Sequence, residues 1–270
     1  MEGCLGRLQG KRAIVMGATR EGNMGQAIAK RFVDEGATVV VSGRGAGGLE
    51  DFAGRYGAIA VPADISSKES VFSLFEQAEK AMGGVDIAVN AAATGQYGPF
   101  EDTPESELDE MLNIIFKGGF FFMQAAVGAM KRAGGGAIAV VTSQVATMMF
   151  ENHAPYMGAK AGIEHVTRTV ANEFGQFGIR ANVIAPGMTV TPMTAGMLAP
   201  GMVEAFASET PLGRINTVED IAAATLFAVS DECFMTGQTF HTTGGITLRR
   251  LPMASEIGAA IESATKKQAG

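Results

Sequence analysis

Cysteine is scarce in this chain. Only Cys4 and Cys233 occur, far apart and in no metal-ligand spacing, which excludes a disulfide framework and predicts two free thiols in a reducing compartment. Histidine is nearly as rare. His153, His165 and His241 show neither an HxH nor an HExxH pattern, so no metal site is expected. Basic clusters are missing beyond the pairs Arg249-Arg250 and Lys266-Lys267, and the net charge is −7. An acidic surface repels phosphate backbones and anionic lipid, so neither nucleic acid nor membrane is expected as a partner. A long clean apolar run is also missing. The most apolar stretch, residues 112–130, contains Asn113 and Lys117 and is expected to fall short of a membrane span. Residues 1–12 carry Glu2 and lack the apolar centre of a secretory signal. A cytoplasmic protein is therefore expected.

What is present suits a filled soluble core: 270 residues, 47% hydrophobic and 18% charged. A domain of that size buries enough apolar surface to stand without disulfides or metals. Short β-rich runs at 13–16, 38–41, 59–62, 85–90, 137–141, 180–184 and 239–241 alternate with helical patterns. Among the helices, 23–35 ends at Gly36, one capped by Ser66 or Ser67 runs through Met82, and 155–177 is long. Another spans 104–132, with Thr103 as expected N-cap and Pro104 at its first position. Strand and helix in alternation imply an α/β fold, a doubly wound parallel sheet of about seven strands in a single domain. The expected division is 1–247 for this domain and 248–270 for a tail. The tail is expected to hold a weak amphipathic helix around 254–264, packed on a neighbouring subunit or mobile.

The first strand runs into Gly17-Ala18-Thr19-Arg20-Glu21-Gly22-Asn23-Met24-Gly25 and then a helix. Glycines admit a close backbone approach to a pyrophosphate, and the helix N-terminus offers free N–H groups to it. Gly17, Thr19, Arg20, Asn23, Met24 and Gly25 are thus candidate cofactor contacts, although the same glycines would serve an ordinary tight turn. The second strand ends in Ser42-Gly43-Arg44 with no carboxylate for ribose hydroxyls. Arg44, helped by Arg20, could grip a 2′-phosphate, which favours NADP(H) over NAD. The alternative is two plain surface arginines.

Ser143 follows the fifth strand, Tyr156 comes thirteen residues later, and Lys160 lies four beyond it. Positions i and i+4 share a helix face. A tyrosine hydroxyl titrates near 10, too high for proton transfer at neutral pH. A neighbouring ammonium is expected to lower it, while a serine hydroxyl bonds the oxygen on which charge grows.

On these residues the chain resembles the short-chain dehydrogenase/reductase family, in its Tyr-x-x-x-Lys branch, over about residues 8–247. Asp86-Ile87-Ala88-Val89-Asn90, Arg180-Ala181-Asn182-Val183-Ile184-Ala185-Pro186-Gly187, Thr236-Gly237-Gln238 and Gly244-Gly245 carry the likeness further. The resemblance implies a Rossmann-type fold and hydride transfer between a nicotinamide cofactor and a small-molecule carbonyl or alcohol. It implies that Tyr156 gives or takes the proton, Lys160 lowers its pKa and binds the nicotinamide ribose, and Ser143 orients the substrate. It also implies that Asp64 and Ile65 flank the adenine, that Asn90 and Ala92 line the ribose, and that Pro186, Gly187, Thr189 and Thr191 hold the carboxamide. Asp64 would equally suit a turn, Asn90 a strand-end cap, and the threonines a plain loop. A homotetramer or homodimer is implied, with helices 104–132 and 155–177 as its association surface.

Three departures stand out. The family's N-N-A-G is Asn90-Ala91-Ala92-Ala93 here, and its helix asparagine is replaced by Ile115. Asn113 lies about 200° around a 3.6-residue helix from that position and is not assigned a catalytic role. The glycine turn is longer than usual and is similar in length to that of enoyl-acyl-carrier-protein reductases. Ser143 and the four-residue spacing favour carbonyl chemistry, with C=C reduction as the second reading and a non-catalytic cofactor-binding protein as the third.

Residues 94–97, 144–152 and 188–214 should line the substrate. They hold Tyr97, Met148, Met149, Phe150, Met188, Met193, Met197, Met202 and Phe206, which point either to a hydrophobic substrate or to packing of a lid.

Overall fold

The computed structural model describes residues 6–195, 198–199 and 201–269. Cys4 and Met197 lie outside the described residues. Among these the strands are β1 (Arg12–Met16), β2 (Thr38–Ser42), β3 (Ile59–Ala60), β4 (Ile87–Asn90), β5 (Gly136–Val141), β6 (Ile179–Pro186) and β7 (Thr239–Thr242). All neighbours pair in parallel, in the order β3-β2-β1-β4-β5-β6-β7. The helices between them are α1 (Met24–Asp34), α2 (Ala46–Tyr56), α3 (Lys68–Met82), α4 (Glu105–Met111), α5 (Gly118–Ala133), α6 (Ala154–Phe174), α7 (Met202–Glu209), α8 (Val218–Val229) and α9 (Ala254–Ala269).

Strand periodicity sorts the core into two layers. Ile14 and Met16 of β1 face one way, with Val40, Ala88, Ile138 and Val140, toward α3, α5 and α6. Ala13 and Val15 face the other way, with Val39, Val41, Val89 and Ala139, toward α1, α2 and α8. The central strands β1, β4 and β5 are therefore buried on both faces, as a doubly wound sheet requires, while the edge strands β3 and β7 are only partly buried. The single domain is a three-layer sandwich.

The helix starts follow local chemistry. Asn23 caps α1 by accepting from Gln26 N at 2.8 Å, and Ser67 rather than Ser66 caps α3. Thr103 does not cap the long helix. Its hydroxyl donates to the Pro99 carbonyl at 3.1 Å, Pro104 is extended, and α4 begins at Glu105. The run from Glu105 to Ala133 also breaks its α-helical winding, with a π-helical segment at Leu112–Lys117. The wide turn places the Phe116 ring over Gly162 of α6, where a Cβ would come within 3.0 Å of the ring. By length and composition this run could cross a membrane, contrary to the expectation from its polar residues. However, 56% of its most apolar stretch is buried inside the fold, which accounts for the apolar content. α6 ends at Phe174 and is followed by a 3-10 turn, Gly175–Phe177.

The tail docks on its own chain. α9 packs on α7, with Ile257 and Ile261 joining an apolar cluster that includes Phe206 and Leu251. Arg250 bridges Glu209 of α7 and Glu256 of α9, and Glu151 accepts from Ala254 N at 2.8 Å.

Gly17 is constrained near the sheet edge by both its backbone conformation and its neighbours. Its φ is +94°, and a Cβ would lie 2.6 Å from the Ala91–Ala92 backbone. We expect Gly17→Ala to lower unfolding stability by about 2–4 kcal/mol from left-handed strain and overpacking. Gly47, which has negative φ and open space around it, is the control. Gly47→Ala should leave stability unchanged or raise it by up to about 1 kcal/mol. Urea unfolding of both variants checks the pair; equal effects would refute the steric account.

Candidate functional site

The sheet reverses its strand order between β1 and β4, and the carboxyl ends of β1, β4, β5 and β6 form one continuous edge. Ligands of open α/β sheets bind in the crevice beyond that edge. The glycine turn leaves β1 there. Asn23 Nδ2 donates to the Gly17 carbonyl at 2.8 Å, and a Cβ on Gly25 would strike that same carbonyl at 2.4 Å. The turn is thus drawn tightly onto the start of α1. Asn23 takes the Gln26 N–H, while the N–H groups of Met24 and Gly25, in the helix's first turn, lie beyond the intrahelical ladder. Thr19 is enclosed by Gly43, Gly45 and Gly48, each of which would drive a Cβ to within 2.1–2.4 Å of it. This packing displays Arg44, between the first two glycines, to solvent, and Arg20 is exposed as well. Neither enters an ion pair among the described residues.

Asp64 does serve a turn. Its Oδ1 accepts from Ser66 N at 3.0 Å and Ser66 Oγ at 2.8 Å. Those bonds, with the nearby Arg44 charge, hold its carboxyl below the usual range. Ile65 is buried against Gly118 of α5. Asn90 is 4% exposed and its Oδ1 accepts from Ala92 N at 3.0 Å, so it braces the end of β4. Pro186 ends β6, and Gly187 N donates to the Thr242 carbonyl at 2.9 Å. The Thr189 hydroxyl donates to the Gly187 carbonyl, and the Thr191 hydroxyl bonds Thr194. Both are spent on shaping the turn.

Ser143, Tyr156 and Lys160 come together. Ser143 leaves β5, its Oγ accepts from Val145 N at 3.4 Å, and its hydroxyl lies near the Tyr156 phenol. Lys160, one helical turn beyond Tyr156, is 2% exposed and lies with Nζ 5.5 Å from the centre of the tyrosine ring. The electrostatic expectation needs correction. Burial pushes the phenol up to about 12, and the neighbouring Ser143 hydroxyl opposes this only in part. Burial also pushes Lys160 down to about 7. Nζ donates to the Val141 carbonyl at 2.9 Å instead of paying its charge to the phenol. Removal from water outweighs the ammonium's attraction in this arrangement. Asn113 points away, its Oδ1 accepting from exposed Lys117 at 3.0 Å. The 3.6-residue geometry does not hold in the π segment, yet the separation of Asn113 from the site stands.

On the substrate side, Val145, Met148, Phe150, Met188, Met202 and Phe206 form an apolar cluster that reaches Tyr156. Met149 does not join it; the side chain is 76% exposed. Tyr97 and Met193 are also exposed, although Tyr97 packs its ring near Phe150 and His153. Sequence reasoning placed Gln96 and Gln144 in lining segments without singling them out and missed His153; all three have buried polar atoms with no partner. No periodicity or motif marks such atoms; they emerge only when loops distant in sequence meet.

The family model described as enoyl-(acyl carrier protein) reductase matches residues 17–247. The D-threitol dehydrogenase of Mycolicibacterium smegmatis is 31% identical over 249 residues, which cover 90% of this chain and 95% of that protein. A 3-oxoacyl-[acyl-carrier-protein] reductase of Aquifex aeolicus is 30% identical, covering 89% and 98%. The chain belongs to the short-chain dehydrogenase/reductase family. It is an NAD(P)-dependent oxidoreductase. Among solved structures, a gluconate 5-dehydrogenase of Burkholderia cenocepacia in complex with NADP and tartrate superposes with a TM-score of 0.85. It is 26% identical, covering 90% of this chain and 97% of that one. For this oxidoreductase the glycine turn fits a dinucleotide: Gly17 and Gly25 stand where backbone packs on backbone, and two first-turn N–H groups lie outside the helix ladder.

Lys160 makes the site costly to fold. Its pKa is 10.5 ordinarily and about 7 when folded, so between those values the unfolded chain binds more protons. Stability contributed at this position therefore rises with pH through that window, and the full penalty applies below it. Lys160→Met should be more stable than the parent near pH 6.5, and the gap should narrow by on the order of 3 kcal/mol by pH 9.5. Urea unfolding at the two pH values decides it; a gap independent of pH would refute the buried-ammonium account.

Proposed function

We propose that this oxidoreductase interconverts a carbonyl and a secondary alcohol, using NADP(H) and a substrate with a hydrophobic body. The observation that carries the reading is the meeting of the Ser143 and Tyr156 hydroxyls at the carboxyl edge of the sheet, with Lys160 buried one turn behind. The nicotinamide, when bound, supplies or accepts the hydride at the reacting carbon. Ser143 donates a hydrogen bond to the substrate oxygen, and Tyr156 delivers the proton that balances the hydride in reduction or removes it in oxidation. A carbonyl oxygen gathering negative charge beside a protonated phenol pulls that proton readily, so a high phenol pKa is no obstacle in the reducing direction. Lys160 stands within the same buried pocket, positioned to hold the nicotinamide ribose and to stabilise tyrosinate in oxidation.

Arg44 and Arg20 support the preference for the 2′-phosphate, since both are exposed beside the glycine turn with no competing carboxylate bound. Gly17, Thr19, Asn23, Met24 and Gly25 would meet the pyrophosphate end. Asp64 and Ile65 would meet the adenine, Asn90 and Ala92 the ribose, and Pro186, Gly187, Thr189 and Thr191 the carboxamide. A homodimer or homotetramer belongs to the same reading; exposed Leu108, Leu112 and Phe120 on the 105–133 run supply an apolar face for it.

A specific observation keeps C=C reduction as the second reading: the matching family model is described by that activity, and the glycine turn has a corresponding length. Ser143 and the Tyr156–Lys160 spacing of four weigh toward the carbonyl. Assay of NADPH oxidation with a ketone and with an enoyl thioester separates the two.

Tyr156→Phe should abolish turnover while changing the cofactor Kd less than about twofold, because the phenol's proton serves chemistry rather than cofactor binding. Retained activity would remove the mechanism. Arg44→Ala should weaken NADPH binding by about 10- to 100-fold and leave NADH binding nearly unchanged, the loss of a charge-assisted contact. Equal losses for both cofactors, measured by titration of intrinsic nucleotide fluorescence, would reject the 2′-phosphate role.

A further inference from the structure

His153 sits against the proton-transferring residue. The two rings lie 4.6 Å apart between centroids, tilted by 39°. His153 is fixed by loops from both sides. Asn152, just before it, adopts φ +59°, the one left-handed non-glycine residue among those described. The Asn152 carbonyl accepts from Gly98 N at 2.9 Å, and its Nδ2 donates to Tyr97 Oη at 3.4 Å. The loop after β4 and the loop before α6 are thereby stitched together beside Tyr156.

Three polar atoms at this seam are buried and unpartnered: His153 Nδ1 and both amide atoms of Gln96, Oε1 and Nε2. Gln96 is 8% exposed. The Gln96 backbone lies beside the imidazole. Burial lowers the imidazole's pKa and favours the neutral ring. A neutral ring protonated on Nε2 leaves Nδ1 an acceptor with nothing to accept. Buried polar groups are almost always satisfied, and each exception calls for a partner.

We propose that His153 and Gln96 receive a hydroxyl group of the substrate, borne within one or two carbons of the reacting carbonyl. The substrate class is then the hydroxy ketones and their corresponding diols, with an apolar body on the Met148–Phe150–Phe206 side. The inference deepens the carbonyl–alcohol reading above and rests on it. The substrate hydroxyl donates to His153 Nδ1, while the Gln96 amide offers it a donor in return and keeps an acceptor for a further polar group. A site built to bond a hydroxyl rejects the analogue that lacks one, because the analogue leaves the site's own groups buried and unpaired.

The test compares 2-hydroxyacetophenone with acetophenone, as substrates of the full-length enzyme with NADPH. The kcat/KM ratio of the two ketones is measured in the parent protein, His153→Phe, Gln96→Leu and His153→Asn. Comparing ratios cancels the ketones' intrinsic difference in reactivity. The ratio should fall by about 10- to 100-fold in His153→Phe, which keeps an aromatic ring against Tyr156, with acetophenone reduction largely retained. Gln96→Leu should lower it in the same direction. His153→Asn, whose amide oxygen can stand near the position of Nδ1, should restore much of it. A merely structural role for His153 would depress both ketones together and leave the ratio unchanged, and that result overturns the proposal while sparing the parent reading. Unchanged ratios in all variants would do the same. Failure of the parent protein to reduce any member of a ketone panel, with NADPH bound, would overturn both.

Discussion

An ammonium group held out of water governs this architecture. Lys160 is buried on a helix face, beneath the carboxyl edge of the sheet, with a strand carbonyl as its hydrogen-bond partner. Desolvation of a charge is expensive, and a single carbonyl does not repay it. The rest of the fold must hold the group there. Ile163 of the same helix is buried in the core layer with α3 and α5, and Gly162 admits the Phe116 ring, so α6 is fixed in rotation as well as position. Rotation of that helix would release the lysine to solvent and carry Tyr156 away from Ser143. The rigidity of α6 and the reactivity of the site are one problem.

The second constraint is steric. The glycine turn packs closely on its neighbours: Gly17 on the Ala91–Ala92 backbone, Gly25 on the Gly17 carbonyl, Gly48 on the Thr19 carbonyl, and Gly43 and Gly45 on the Thr19 side chain. A side chain at any of these would push apart the surfaces that present the first-turn N–H groups of α1. The turn is long, yet it is compact because Asn23 uses both ends of its amide, one on the Gly17 carbonyl and one on the helix start. Glu21 and Gly22 are exposed on its outer side, where Glu21 pairs with Arg55.

Regular elements were legible because their signals are local. Alternation in Ala13-Ile14-Val15-Met16 separates two faces, both apolar, and a strand apolar on both faces belongs inside a parallel sheet. Asn23 and Ser67 act as caps within three residues of the groups they serve. The reactive trio was legible for a related reason: four residues on a helix and one strand end fix its geometry. Signals that depend on a competitor were not legible. Thr103 had the right side chain for a cap, but Pro99 offered its hydroxyl an earlier partner. Met148 and Met149 are chemically identical neighbours, and only the loop's path decides that one is packed and the other exposed. The phenol's acidity could not be read from spacing, since spacing counts the ammonium's attraction and omits the solvent both groups lose. His153 and Gln96 are 57 positions apart and meet only because two loops leave the same sheet edge.

Gly201 shows how a residue's meaning depends on a segment far from it. By sequence it is one of several glycines and prolines flanking a short helix, the composition of a lid. In the fold its φ is +93°, and a Cβ would fall 2.3 Å from the Ala260 carbonyl oxygen of α9. The glycine is needed for docking the tail rather than for hinge freedom. The family match ends at residue 247, so α9 lies beyond the matched region and packs on α7 from outside it. Arg250 then ties both helices with ion pairs that are half exposed and individually weak. α7 is therefore held mainly by apolar contact of Ile257 and Ile261 with the cluster around Phe206. Because the same cluster reaches Phe150 and Tyr156, the tail supports the wall against which the substrate's apolar part would rest.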